Sequence, residues 1–221
     1  MRPIIIFGIG ELAQLACVYF TNDSDRKVAG FTVDREYAKG GYCMNLPIIP
    51  FDEVATRFPP AEYDMFVAIG YARLNAARAD KCKAAKELGY QLASYVSSRS
   101  SVWPDLKVGE NCLVMEGTLL QPFVTLGSNA IVWCGSLISH HVEIGDDCFI
   151  AAHAVISGHV KIGRNCFIGV NATIRDKVRI ADRTIVGAGA LILGDTVENS
   201  SYLGEPSPKS GVPSHRLSAL L

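Results

Sequence analysis

Among seven cysteines the chain has no C-x-x-C pair, and the number is odd. This excludes a disulfide framework and a zinc ribbon and fits a reducing compartment. Basic clusters are also lacking, and the formal net charge is -1. A protein that grips the phosphate backbone needs a positive footprint, so nucleic acid is not an expected partner. The one apolar run near the start, "PIIIFGIGELAQLACVYF", is interrupted at Glu11 and Gln14, and no small-x-small cleavage pattern follows. A secretion signal is therefore not expected, nor is membrane insertion, and the cytoplasm is the expected location.

What is present is ample core material, with 49% apolar residues in a 221-residue chain. The first half alternates short apolar runs with segments of helical spacing. "PIIIFGI" (3–9), "VAGFTV" (28–33), "MFVAIG" (65–70) and "LASYV" (92–96) read as strands, while "ELAQLACVYF" and "ARLNAARADKCKAAKEL" read as helices. Strand–helix alternation implies a small parallel sheet covered by helices, a half-sized Rossmann-like unit over residues 1–97.

The second half has a different period. Every sixth residue from Val102 to Ile192 is aliphatic, sixteen in succession. Four residues after each comes a small or β-branched residue, as at Cys112, Thr118, Val124, Ala130, Ser136 and Val142, with Leu106 the exception. "LKVG" (106), "VTLG" (124), "VEIG" (142), "VKIG" (160) and "VRIA" (178) add a period of 18. Three hexads then make one coil of a triangular prism, both registers point inward, and about five coils stack at roughly the 4.8 Å of a sheet ladder. Cys112, Cys148 and Cys166 fall in the small inward register, where a free cysteine packs as a compact apolar residue.

This uninterrupted hexad resembles the left-handed parallel β-helix of the hexapeptide-repeat acyltransferases. With a front unit opening on "IFGIGELA", the chain is similar to bacterial sugar acetyltransferases that modify sialic acids and nucleotide-linked amino sugars. The resemblance implies an all-β left-handed β-helix over 98–200 behind the α/β front unit, followed by a tail over 201–221. It also implies acetyl-CoA as donor, a nucleotide-linked amino sugar as acceptor in surface polysaccharide synthesis, and a homotrimer. O-acetylation of a sialic acid or related sugar stays open. So does a non-catalytic nucleotide-sugar-binding trimer.

In that family the general base is a histidine followed by an acid, two further residues and Ile-Gly. Here the register reads His140-His141-Val142-Glu143-Ile144-Gly145. His140 is the implied base, His141 stands where the acid belongs, and Glu143 is a candidate to orient the imidazole. Both histidines occupy prism corners, where solvated polar residues with no catalytic role also occur. The family's second histidine, nine residues after the base, is Phe149 here, and His153 is the expected substitute near the acyl donor. The resemblance places coenzyme A along Gly158, Val170, Asn171 and Ala188, and Lys209 in "GEPSPK" near a phosphate. For the nucleotide sugar, Gly8 and Gly10 sit at a strand-to-helix turn where a phosphate can approach. Asp34 follows the second strand, where an acid meets a ribose or base hydroxyl, and Gly70 in "AIGYARL" adds to the same site.

No metal is expected. Similar β-helix proteins that bind zinc through three histidines separate their ligands by 5 and 36 residues. No pair among His140, His141, His153 and His159 has either spacing.

Overall fold

The computed structural model describes residues 1–209 and 211–212. His215 and the end of the expected tail lie outside the described residues.

The front unit contains β1 (Ile4–Phe7), α1 (Glu11–Asn22), β2 (Val28–Val33), β3 (Tyr42–Cys43), β4 (Leu46–Pro50), α2 (Val54–Arg57), β5 (Asp64–Val67) and α3 (Ala76–Glu87). The sheet order is β3-β4-β2-β1-β5, with β1, β2, β4 and β5 parallel and β3 antiparallel to β4. All four residues of β1 are buried, as a central parallel strand covered on both faces requires. On one face α1 packs Ala13, Ala16, Cys17 and Phe20, and on the other α3 packs Cys82 and Ala85.

Two expectations change here. β3 and β4 were not expected, because "LPIIP" carries a proline at each end of a short apolar run and so lacks a clear period. "LASYV" does not join the front sheet as a full strand. Leu92 makes a single bridge to Met65, and Tyr95–Val96 pairs with Leu113–Val114 instead. That segment begins the β-helix.

From Ser101–Val102 to Leu191–Ile192 the chain forms two-residue strands every six residues. Each pairs with the strand eighteen residues away, as in Leu137↔Val155, Glu143↔Lys161 and Phe149↔Phe167. Three parallel sheets of six, five and seven strands result. The seven-stranded one is extended beyond the hexads by Tyr95–Val96 and Ser201–Tyr202. It is roughly 29 Å tall at the usual strand spacing. The two inward registers make one continuous core, from Cys112 and Val114 to Ala190 and Ile192. At the open end no coil covers Val102, which is 40% exposed although it belongs to the inward register.

The hexad also dictates the corners. From Asn111 to Gly189 every sixth residue has a positive φ, including Asn129 (62°), His141 (59°), His153 (57°), His159 (59°) and Asn171 (55°). Each strand must turn by about a third of a circle, and one left-handed residue per corner accomplishes this. Glycine, Asn, Asp and His tolerate that conformation best.

The prism's three faces differ in their outward residues. One presents Leu113, Ile131 and Phe149, which pack against α1 and β1 of the front unit in a shared core. A second presents Lys107, Thr125, Glu143, Lys161 and Arg179 to solvent. The third presents Leu119, Leu137, Val155, Thr173 and Leu191. Among the described residues none covers that apolar row, and Leu191 is 61% exposed.

Candidate active site

His140 precedes the left-handed position of its corner, and its exposed ring lies over the next coil. The ring rests against Gly158, where a built Cβ would stand 2.6 Å from His140 Cε1 and 2.8 Å from Nε2. The φ of Gly158 is not positive, so the backbone does not demand glycine there; the imidazole does. The backbone of His140 is fixed from both sides. Its N–H donates to Gln121 Oε1 at 2.9 Å, and its carbonyl accepts from His159 N–H at 3.0 Å.

His141 lies beside it, with Nδ1 atoms 3.2 Å apart. His159, one coil on, stacks on His141 with centroids 4.7 Å apart and an interplanar angle of 16°, and it meets His140 edge-on at 5.1 Å. Phe123, one coil below, completes the stack against His141 at 4.5 Å. Desolvation, reinforced by the like charges of His141, His140 and Lys177, pushes the His159 imidazole below its ordinary pKa. The contact between the two imidazoles engages Nδ1 of His140 and leaves its Nε2 outside it.

Glu143 does not orient that ring. It lies on the charged outer face, paired with Lys161 at 2.7 Å, because a strand residue at that register points away from the corner. The polar atom that His140 Nδ1 meets is Nδ1 of His141, at 3.2 Å.

The expected donor-binding residues fall on two corners. Gly158 lies under His140, whereas His153, Val170, Asn171 and Ala188 share the corner on the far side of the uncovered apolar face. His153 rests against Gly135, where a Cβ would come within 2.6 Å of its ring. Val170, Asn171, Ala188 and Lys209 are exposed. One chain therefore does not bring the two groups together; they flank the same face.

In the front unit, Gly8 has φ 113° and approaches the Ala68 carbonyl so closely that a Cβ would stand 3.0 Å from it. Both this positive φ and the close approach require glycine there. Gly10, which caps α1 without a side-chain hydrogen bond, and Gly70 have neither a positive φ nor a neighbour within 4 Å of a built Cβ. Both leave open space at the carboxyl edge of the sheet, the usual ligand crevice of such folds. Asp34 stands at that edge too, but its Oδ1 accepts from Lys81 at 2.6 Å. Lys81 is itself held over the rings of Phe7 and Phe51. Asp34 is therefore already paired and offers a ligand only its remaining acceptor capacity.

Sequence reasoning missed the residue that joins the two halves. Arg78 on α3 is fully buried, and burial lowers its pKa to about 10. Its guanidinium donates to the Asn129 carbonyl at 3.0 Å, the Cys148 carbonyl at 3.2 Å, the Gly70 carbonyl at 2.6 Å and the Asn129 and Asn75 side chains. Asn111 presents its amide to β5 as a strand would, accepting from Val67 N–H at 2.7 Å and donating to Val67 O at 3.1 Å. The available signal was the spacing of Arg78, Cys82 and Ala85, which puts the arginine on the buried stripe of α3.

Residues 123–158 and 159–194 match the family described as bacterial transferase hexapeptide (six repeats). No curated protein matches the chain. Among solved structures, the chain is similar to a point mutant of perosamine N-acetyltransferase from Caulobacter crescentus in complex with CoA and GDP-perosamine. The TM-score is 0.84 at 23% identity, covering 96% of this chain and 98% of that one. The acetyltransferase domain of PglB from Neisseria gonorrhoeae, in complex with acetyl coenzyme A, gives 0.78 at 22% identity, covering 93% and 97%. WeeI from Acinetobacter baumannii gives 0.67 at 18%, covering 93% and 98%. The chain thus carries the bacterial transferase hexapeptide repeat over residues 123–194 and shares with these enzymes a Rossmann-like front unit followed by a left-handed β-helix.

Proposed function

We propose that the protein transfers an acetyl group from acetyl-CoA to the amine of a nucleotide-linked amino sugar, with His140 as general base. The observation that carries this is the placement of His140. Its ring lies in the space left by Gly158, its backbone is held by Gln121, and its Nδ1 meets a neighbouring imidazole, an arrangement that would leave Nε2 as the base nitrogen. The left-handed corner accounts for His141, His153 and His159 on backbone grounds; it does not account for His140. The bound molecules named for the neighbours, CoA, acetyl coenzyme A and GDP-perosamine, support the choice of donor and acceptor class.

In the reaction the amine nitrogen attacks the thioester carbonyl, the new C–N bond forms, and the C–S bond breaks. His140 Nε2 takes the amine proton and returns it to the departing thiolate. The front unit would hold the nucleotide at Gly10 and Gly70, with Asp34 beside it. His153, Val170, Asn171, Ala188 and Lys209 would line the donor.

The two residue groups flank the uncovered face of Leu119, Leu137, Val155 and Leu191. Association of copies through that face would bring the His140 corner of one to the His153 corner of another. A homotrimer, which the family resemblance implies, is the assembly we propose. Its place in cytoplasmic synthesis of surface polysaccharide belongs to the same reading. Among the described residues no helix is long and apolar enough to cross a membrane.

His140→Gln should lower kcat by about 100-fold or more, the usual contribution of a general base, and leave the far-UV circular dichroism and melting temperature unchanged. Full turnover in a folded variant would overturn the assignment.

A further inference from the structure

We infer that His140, His141 and His159 form a site for a divalent transition metal, with Zn²⁺ the best-suited ion. One ligand nitrogen from each lies within 4.8 Å of the other two, and all three side chains are exposed to solvent. The 3.2 Å between the Nδ1 atoms of His140 and His141 is close to the edge of a tetrahedron around zinc, about 3.3 Å for Zn–N bonds of 2.0–2.1 Å.

The backbone supports that spacing. The coil ladder fixes His159 to His140 through the 3.0 Å hydrogen bond between their main chains, so the three Cα positions are set before any ion arrives. Only imidazole rotations remain, and these are soft for exposed histidines. A fourth position faces water. Lys177 and Asp176 on the next coil bring one charge of each sign to the cluster, so the imidazoles themselves carry the affinity.

The spacings of 5 and 36 that led to an expectation of no metal belong to a site shared between subunits. This cluster uses spacings of 1 and 18, one corner and one coil of a single chain. It is a different site on a related scaffold. If His140 is the base, an ion on its Nδ1 removes the contact with His141, turns the ring and lowers its basicity, and metal binding switches transfer off. That consequence rests on the functional reading above; the site does not.

The test is titration of the metal-stripped full chain with Zn²⁺ by calorimetry, paralleled by Co²⁺ uptake followed through the intense visible bands of four-coordinate cobalt. The comparison variants are His159→Asn, which keeps a residue suited to the left-handed φ, and His153→Asn as control. One Zn²⁺ per chain is expected, with His159→Asn weakening it at least tenfold at unchanged melting temperature and His153→Asn leaving it intact. Absence of stoichiometric binding, binding unaffected by His159→Asn, or binding lost in His153→Asn would each overturn the site. In an acetyl-transfer assay Zn²⁺ should inhibit the wild type and spare His159→Asn. Stoichiometric zinc with no transferase activity in any sample would keep the site and reject the functional reading.

Discussion

At the scale of single residues, the β-helix distinguishes glycines and histidines the backbone requires from those it does not. Gly158 is of the second kind: its φ admits alanine, and only the imidazole of His140 excludes a Cβ. Gly158→Ala should therefore displace the His140 ring, lower kcat by at least about tenfold, and shift the melting temperature little. An active Gly158→Ala enzyme would show that His140 does not work from this position. A second residue reports on acid stability. Asp23, just past α1, accepts from Tyr95 Oη at 2.5 Å, Ser98 N–H at 2.9 Å and the hydroxyls of Ser97 and Ser98. These bonds, those from Ser98 first, hold its carboxyl well below the ordinary value of 3.8. A depressed folded-state pKa means that the stability it adds is present above pH 4 and disappears as pH falls further. Urea midpoints of wild type and Asp23→Asn should differ at pH 7, and the gap should narrow progressively as pH falls below 4. A gap that stays constant from pH 7 down to pH 2 would contradict the linkage.

At the scale of elements, the legibility of the sequence varied with how local the determinants were. The hexads were readable because each coil repeats the same two-register demand, Val114 and Cys112 in one, Val132 and Ala130 in the next. Both registers are buried as expected. β1 and β2 were readable from apolar runs bounded by turns. β4 was not, because its partners come from β2 and β3 and its own residues show no period. The histidine corner was legible as a position; Glu143 was misread because strand register, which sends it to Lys161, outweighs nearness in sequence. Arg78 was invisible as a joint because its acceptors lie 51 and 70 residues away. Replacing it with alanine orphans several buried acceptors, at about 1–3 kcal/mol each. Arg78→Ala should lose roughly 3 kcal/mol or more, and Arg78→Lys, which keeps the charge and loses the planar fork, should lose part of it. A lysine variant as stable as wild type would show that the fork is not needed.

At the scale of the whole molecule, three faces have three fates: one covered by the front unit, one charged, and one apolar and uncovered. Leu191→Glu combined with Val155→Glu should convert the assembled form to monomers in light scattering and abolish transfer, with each monomer's helix and strand content retained. An unchanged mass would remove that face from the assembly. In the proposed reaction His140 of an assembled enzyme acts on an amine. The most direct measurement is thiol release from acetyl-CoA by wild type and His140→Gln against GDP-, UDP- and dTDP-linked amino sugars, with sialic acids alongside. Rapid release with an amino sugar, reduced about 100-fold or more in the variant, is the predicted result. Equal release by both proteins, or release only with hydroxyl acceptors, would contradict it.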